Sequence, residues 1–160
     1  ALARKRGAVA ARPAATQSQC DPHGHILTCY DPAGSATLGC MIGNLRSVVL
    51  DTRDPRGLAS FWADLLGGTI VEDDDDWVVV AEPSGRRLAF QLSPEHHPPR
   101  FPDPEGSQQV HFDIDVDDVD AAEAAVRKLG ATRVDEAPDG DDFRVFRDPA
   151  GHTFCLVFDV

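Results

Sequence analysis

Two stretches of equal length decide the fold. Residues 77–92 read WVVVAEPSGRRLAFQL, and residues 143–158 read FRVFRDPAGHTFCLVF. Each stretch contains a β-rich run, a turn with proline second and glycine fourth, and a further β-rich run. Proline sets φ at the second turn position, and glycine relieves crowding where the turn ends. We therefore predict two β-hairpins at equivalent places of a repeated unit.

The residues before each hairpin also repeat in the same order. Opening strands are predicted at 47–52 and 111–116, because both runs are rich in β-forming residues with some alternation. An apolar stripe at helical spacing follows each strand, and a glycine ends each predicted helix, at Gly67 and Gly130. A short strand then leads to the hairpin. The sequence thus contains one βαβββ unit written twice.

Two copies are too few for a solenoid, so a pseudo-twofold pair is the simplest architecture. The predicted fold class is α+β, with two tandem βαβββ modules that form a pseudo-twofold curved mixed sheet around a cleft. Module one takes residues 44–92, a proline-dense connector takes 93–106, and module two takes 107–160. Any function is expected in the cleft that the modules enclose.

The first part of the chain differs from the repeat. Residues 1–40 are rich in Ala, Gly, Pro and Arg and lack sustained helix or strand periodicity. We interpret them as an unstructured tail or as a leader that precedes the true start, and we expect the domain to take residues 41–160, from the single methionine, Met41. The leader contains ligand types of a zinc site, namely Cys20, His23, His25 and Cys29. Structural zinc motifs pair two separated ligand clusters, which this segment lacks, so zinc is the less favoured interpretation there.

The length, charge and hydropathy of the chain exclude some classes of function. A chain of 160 residues suits one domain with a real core. A formal net charge of -12 would repel a phosphate backbone, so no nucleic-acid partner is expected. No apolar run approaches the roughly 18 to 20 residues that span a bilayer. We therefore expect no membrane partner, a cytoplasmic location and reduced cysteines.

Three segments of the chain resemble a known family. They are residues 45–51 (LRSVVLD), 61–67 (FWADLLG) and 148–152 (DPAGH). They are similar to the vicinal oxygen chelate superfamily, which includes glyoxalase I, bleomycin-resistance proteins, extradiol dioxygenases and certain epimerases, and most of all to its glyoxalase-like branch. The resemblance covers residues 45–158. It implies paired βαβββ modules curled around a cavity, and a homodimer whose subunits complete one another's clefts.

The resemblance also implies where a metal would lie. In metal-using members the ligands come from the first and last strands of each module. Those positions are Ser47 and Ala89 in module one and His111 and Cys155 in module two. Only His111 keeps a usual ligand type, and His with Cys falls short of the three protein ligands of a catalytic zinc or iron site. No cofactor is expected; the alternative is a divalent Zn, Ni, Fe or Mn ion held through His111.

Candidate site residues follow from the strands that border the cleft. His111 can act as a base or orient a ligand, since imidazole titrates near neutral pH, or it can be a hydrogen-bonded core histidine. Cys155 is a nucleophile if it pairs with His111, but a free cysteine is more often a small buried side chain. The expected cleft residues are Ser47, Trp62, Trp77, Ala89, Gln91, His111, Arg144 and Cys155.

Three functional classes stay open at this point. We favour a metal-independent protein that binds or sequesters an unknown small molecule in an apolar cleft. The alternative is an enzyme of the lyase, isomerase or dioxygenase kind that uses His111 as a catalytic residue or metal ligand. The third possibility is a fold that serves only in dimerisation or regulation. Whether the protein is an enzyme is undecided by the sequence.

Overall fold

The elements follow one another in the order that the repeat predicts. The structure is a computed structural model that describes residues 44–135 and 142–158. Module one contains β1 (Val48–Thr52), α1 (Pro55–Leu66), β2 (Thr69–Asp74), β3 (Trp77–Ala81) and β4 (Arg87–Leu92). Module two contains β5 (Phe112–Asp115), α2 (Val119–Leu129), β6 (Thr132–Arg133), β7 (Phe143–Arg147) and β8 (Thr153–Val157). The α+β class and the two βαβββ modules are confirmed.

Several predictions concern residues outside this description. The predicted leader at 1–40 and the zinc candidates Cys20, His23, His25 and Cys29 lie outside the described residues. Those predictions therefore stay untested. Within residues 44–135 and 142–158, no helix is both long enough and apolar enough to cross a membrane.

Each module builds its own mixed sheet. The strand orders are β1-β4-β3-β2 and β5-β8-β7-β6, so the two sheets share one topology. The first strand runs parallel to the last in both, with Val49 opposite Ala89 in one sheet and Asp113 opposite Cys155 in the other. The remaining neighbours are antiparallel. Val49 and Asp113 are therefore equivalent positions of the repeat, as are Ala89 and Cys155.

The two hairpin turns are also equivalent. Gly85 has φ 88° and Gly151 has φ 92°, in the left-handed region that glycine adopts without steric cost. Each glycine amide donates to the carbonyl oxygen at the start of its turn, on Glu82 or Asp148, at 2.9 Å in both cases. The predicted paired turns are thus present in both modules.

Local signals set the helix ends. Asp54 caps α1 by accepting from the amide of Gly57, and Asp118 caps α2 by accepting from the amides of its first turn. The helices end before Gly67 and Gly130, as predicted. Each helix is thereby fixed against one face of the sheets.

One hydrophobic core joins the modules on the helix-bearing sides of both sheets. Its buried members come from β1, both helices, β3, β4, β7, β8 and the residue after Gly130: Leu50, Leu58, Ala59, Phe61, Trp62, Val78, Val80, Phe90, Val126, Ala131, Phe146, Phe154 and Leu156. The ring of Trp62 lies 5.0 Å from that of Phe112 and 5.7 Å from that of Phe154, between centroids, and both partners belong to module two. Helix α1 of module one therefore contributes to the hydrophobic core of module two.

A buried hydrogen bond adds to this packing. The Trp62 indole Nε1 donates to Asp148 Oδ2 at 3.1 Å, and both side chains are buried. The second carboxylate oxygen of Asp148 accepts from the amides of Ala150 and His152 at 2.9 and 3.0 Å. A buried carboxylate is costly unless such partners satisfy it. Trp62 and Asp148 thus join the helix of one module to the hairpin turn of the other.

Replacing Trp62 with Phe should lower the free energy of unfolding by about 2 kcal/mol, because it deletes a hydrogen bond to a buried carboxylate and leaves a gap in the core. Urea denaturation followed by circular dichroism measures this change. The matched control is Trp77→Phe, at the half-buried start of β3, which should cost less than about 1 kcal/mol. Equal losses in the two variants would contradict the role of Trp62.

Candidate functional site

Side chains alternate along each strand, so each sheet has a face toward the helices and an opposite face. We call the latter the helix-free face. In sheet two, Phe146, Phe154 and Leu156 belong to the core with the helices, whereas Val145 and Cys155 form a separate buried cluster. The helix-free face of sheet two therefore carries its own small core.

A cavity of about 360 Å³ lies on this helix-free face. We call it the His111 pocket. Its lining residues are Phe101, Gln108, His111, Asp113, Asp142, Phe143, Val145, Cys155 and Val157. Val145 and Cys155 are buried beneath it, and Phe101 of the connector packs against the same cluster. The pocket therefore has an apolar base and polar groups from β5 and the chain before it.

The connector is fixed over the pocket by Arg147. The Arg147 Nη1 donates to the carbonyl oxygen of Pro99 at 3.2 Å and to that of Gly151 at 3.4 Å. Its Nη2 donates to the carbonyl oxygen of Phe101. These bonds satisfy the guanidinium with backbone oxygens and hold Phe101 at the pocket wall.

Three side chains with possible metal-ligand atoms meet in the pocket. A ring nitrogen of His111, a carboxylate oxygen of Asp113 and the thiol sulfur of Cys155 all lie within 4.8 Å of one another. The His111 Nε2 is 3.5 Å from Asp113 Oδ1. Asp113 stands opposite Cys155 in the β5–β8 register, and His111 precedes it by two residues on the same face. The alternation of β5 therefore brings the three groups together.

The thiol of Cys155 is held in its neutral form. Burial, the negative charge of Asp113 and the hydrogen bond to Asp113 together raise the pKa of Cys155 to about 11, with burial the largest cause. A thiolate is the reactive form of cysteine, so this thiol is a poor nucleophile at neutral pH. The pairing of Cys155 with His111 as a nucleophile is not favoured by this geometry.

The donor set nevertheless fits a divalent ion by number and type. A catalytic zinc site uses three protein ligands and leaves one position open, and His, Asp and Cys are all zinc ligands. An ion would have to displace the proton of Cys155, which its own charge favours. Ala89 offers only a methyl group, and Ser47 lines a different cavity. Among the residues that the structure describes, the possible ligands thus come from module two.

That second cavity, of about 620 Å³, lies between the modules. We call it the inter-module cavity. Trp62 and Phe112 contribute to its apolar side, and Ser47 and Arg87 to its polar side. Asp113 lines both this cavity and the His111 pocket, so the two adjoin at β5.

The sequence of residues 47–157 matches the family described as "Glyoxalase-like domain". The chain belongs to this glyoxalase-like family. Its membership confirms the predicted resemblance to the glyoxalase, bleomycin-resistance and dioxygenase superfamily. A comparison with curated proteins finds no significant match.

Solved structures share the fold of this glyoxalase-like domain. A glyoxalase/bleomycin resistance protein/dioxygenase family enzyme from Burkholderia phytofirmans PsJN has a TM-score of 0.57 and 16% identity, over 74% of this chain and 100% of that one. A possible glyoxalase from Bacillus cereus has a TM-score of 0.55 and 16% identity, over 73% of this chain and 99% of that one. The fosfomycin resistance protein FosX from Listeria monocytogenes has a TM-score of 0.56 and 14% identity, over 75% of this chain and 94% of that one. At these identities the similarity is one of fold.

The predicted cleft residues of this glyoxalase-like domain do not all meet. His111 and Cys155 line the His111 pocket. On β3 and β4, Trp77, Ala89 and Gln91 share the helix-free face of sheet one, because the register pairs Trp77 with Gln91. Ser47 is elsewhere, in the lining of the inter-module cavity. The structure therefore brings together only part of the predicted set.

Two residues of the predicted set, Arg144 and Trp62, lie outside the lining of the His111 pocket. Arg144 donates from Nη1 to Asp120 Oδ1 at 2.8 Å and to Glu123 Oε2 at 2.9 Å, both in or at the start of α2. Its neighbours on β7, Phe143 and Val145, point to the pocket instead, as strand alternation requires. Trp62 is a core residue of α1, whose indole lines the inter-module cavity but not the His111 pocket.

Several pocket residues were missed in the sequence. Asp113 and Val157 could have been found by counting two positions along the strand from His111 and from Cys155. Gln108, Asp142 and Phe101 carry no such signal, because they lie in or beside irregular segments whose path depends on tertiary contacts.

In chelator-treated protein, Cys155 should react with iodoacetamide more than about 100-fold slower than free cysteine at neutral pH, because burial and a pKa of about 11 suppress the thiolate. The rate should rise as the pH approaches 11, because raising the pH populates the thiolate. Peptide mapping by mass spectrometry after timed alkylation separates Cys155 from the other cysteines. A half-maximal rate below about pH 9 would contradict the buried, neutral thiol.

Proposed function

We propose that this glyoxalase-like protein binds a small organic molecule in the His111 pocket and does so without a metal ion. The observation that carries the proposal is a cavity of about 360 Å³ with an apolar base and a few polar groups that converge on it. Small-molecule sites have this character, with volumes of roughly 300 to 1,000 Å³ and few polar anchors.

The pocket supplies both parts of such a site. Val145, Val157 and Phe143 give apolar surface, and Phe101 from the connector adds an aromatic wall. His111 and Asp113 are exposed enough to contact a ligand, whereas the thiol of Cys155 is neutral and buried. Apolar surface contributes affinity by leaving water, and the polar groups fix the orientation of the ligand.

Fold relatives are compatible with more than one chemistry. Among the solved structures of this fold, two are named as fosfomycin resistance proteins and one as an oxidase. The fold itself therefore does not decide between binding and catalysis, and the proposal depends on the pocket of this chain.

A screen of small aromatic and aliphatic compounds by ligand-observed NMR tests the proposal on chelator-treated protein. We expect ligands that bind the wild-type chain and whose affinity falls at least about tenfold in Val157→Phe, because the larger side chain fills the pocket that the ligand would occupy. The matched control is Val110→Phe, at an exposed valine outside the pocket lining, which should keep the affinity.

Either of two results would contradict binding in this pocket. One is a folded wild-type protein that binds no compound at millimolar concentration. The other is a ligand whose affinity is the same in Val157→Phe and in Val110→Phe. Circular dichroism of both variants verifies that each is folded.

A second candidate function rests on the three possible ligands. In this candidate, His111, Asp113 and Cys155 hold a divalent Zn, Ni, Fe or Mn ion, and the protein is a lyase, isomerase or dioxygenase. Such an ion would supply Lewis-acid polarisation of a substrate oxygen when bound. The protein would provide the open position, the apolar base and the Phe101 wall that exclude water.

Metal analysis of the purified protein separates the two candidates. For the binder, we expect less than about 0.1 mole of divalent ion per mole of chain, and no difference between wild type and His111→Ala. The control variant is His97→Ala, whose histidine lies in the connector outside the His111 pocket. A stoichiometric ion that is lost in His111→Ala and kept in His97→Ala would establish the metal candidate instead.

Other expectations about the protein stay predictions. These are the homodimer, the cytoplasmic location and the lack of a nucleic-acid or membrane partner. The lining of the proposed ligand site in this chain comes from module two and from the connector.

A further inference from the structure

The charges that line the His111 pocket are of one sign. Asp113 and Asp142 contribute two carboxylates, and the lining contains neither lysine nor arginine. Arg147 lies on the same sheet face but outside the pocket lining, where its guanidinium donates to the carbonyl oxygens of Pro99 and Phe101. Arg144 faces α2 from the opposite side of the sheet. The pocket is therefore a site of negative potential with an apolar base.

One neutral polar side chain of the pocket, that of Gln108, offers a hydrogen-bond acceptor without a partner among the described residues. The side-chain oxygen of Gln108 is buried and has no hydrogen-bond partner in the described part of the chain. The next residue, Gln109, has φ 65°, a left-handed conformation that a non-glycine residue seldom adopts. A buried acceptor without a partner is costly, so a ligand that donates to Gln108 would recover that cost. Residues 108–109 thus present an acceptor that favours a donating ligand.

Aromatic rings complete this environment. Phe101 and Phe143 line the pocket together with the carboxylate of Asp113. The face of a phenyl ring attracts a cation through its quadrupole, and a nearby carboxylate attracts the same charge directly. The net charge of -12 on the chain adds long-range attraction for cations.

We infer that the ligand of the His111 pocket is an organic cation, a protonated amine on an apolar or aromatic body. An ammonium group has three donors and no acceptor, which matches the acceptors of Gln108 and Asp113. The apolar body matches Val145, Val157 and the two phenylalanine rings. This inference rests on the proposed function and adds the charge of the ligand to it.

Three probes of similar size and different charge test the inference. They are 2-phenylethylamine, 2-phenylethanol and 3-phenylpropionate, titrated into chelator-treated protein by ligand-observed NMR. At low ionic strength the amine should bind at least about tenfold more tightly than the alcohol, and the acid should bind more weakly than the alcohol. Raising the ionic strength to about 0.3 M should weaken the binding of the amine and leave the binding of the alcohol unchanged, because salt screens interactions between charges.

Charge-neutralising variants locate the effect. Asp113→Asn should lower the affinity for the amine about fivefold and change the affinity for the alcohol by less than about twofold, because the substitution removes only the charge of the side chain. Asp142→Asn should act in the same direction. The matched control is Asp117→Asn, an exposed carboxylate outside the pocket lining, which removes the same charge from the chain and should leave amine binding unchanged within about twofold.

The outcomes separate the two proposals. Two outcomes overturn the inference on ligand charge while pocket binding stands. In one, the alcohol or the acid binds as tightly as the amine. In the other, Asp117→Asn weakens the binding of the amine as much as Asp113→Asn does. If none of the three probes binds, the inference on ligand charge is overturned, and the compound screen with Val157→Phe decides the proposed function separately. Amine binding that is selective and sensitive to Asp113 supports both.

Discussion

The structure depends on the buried hydrogen bond between the Trp62 indole and the Asp148 carboxylate. Within residues 44–135 and 142–158 the two sheets are separate, and no ladder of strand hydrogen bonds joins them. The junction relies instead on side chains, and Trp62 supplies both aromatic contact with Phe112 and Phe154 and the bond to Asp148. Asp148 also organises its own hairpin turn by accepting two amides. One pair of residues therefore fixes a turn in module two and the position of a helix in module one.

This arrangement explains why β5 can serve two purposes. Phe112 and Ile114 point into the shared core, whereas His111 and Asp113 point to the helix-free face, since side chains alternate along a strand. The core side holds the strand rigidly, and the other side presents polar groups over Cys155. The connector then adds Phe101, which Arg147 holds in place through backbone carbonyls. A rigid strand and a pinned connector together give a small pocket with defined walls.

Much of the fold could be predicted from the sequence, and less of the site. The paired turns that end at Gly85 and Gly151 depend on local backbone chemistry, so the repeat was visible directly. Arg144 was a candidate because it alternates with apolar neighbours, but alternation alone does not show which face of the strand borders a pocket, and Arg144 faces α2. Gln108 and Phe101 reach the pocket through contacts distant in sequence, which local patterns do not encode. Asp113 is a further possible metal ligand that the family positions do not include, because it lies two residues after His111 on the same strand face.

The central claim is that a small molecule binds on the helix-free face of sheet two. The most direct test is to follow the backbone amide signals of isotope-labelled protein by NMR while a bound ligand is titrated in. Binding in the His111 pocket predicts that the signals that shift most belong to residues around His111, Val145 and Cys155, with little change in α1 and β2. Shifts confined to module one, or to the exposed surface of α2, would contradict the claim.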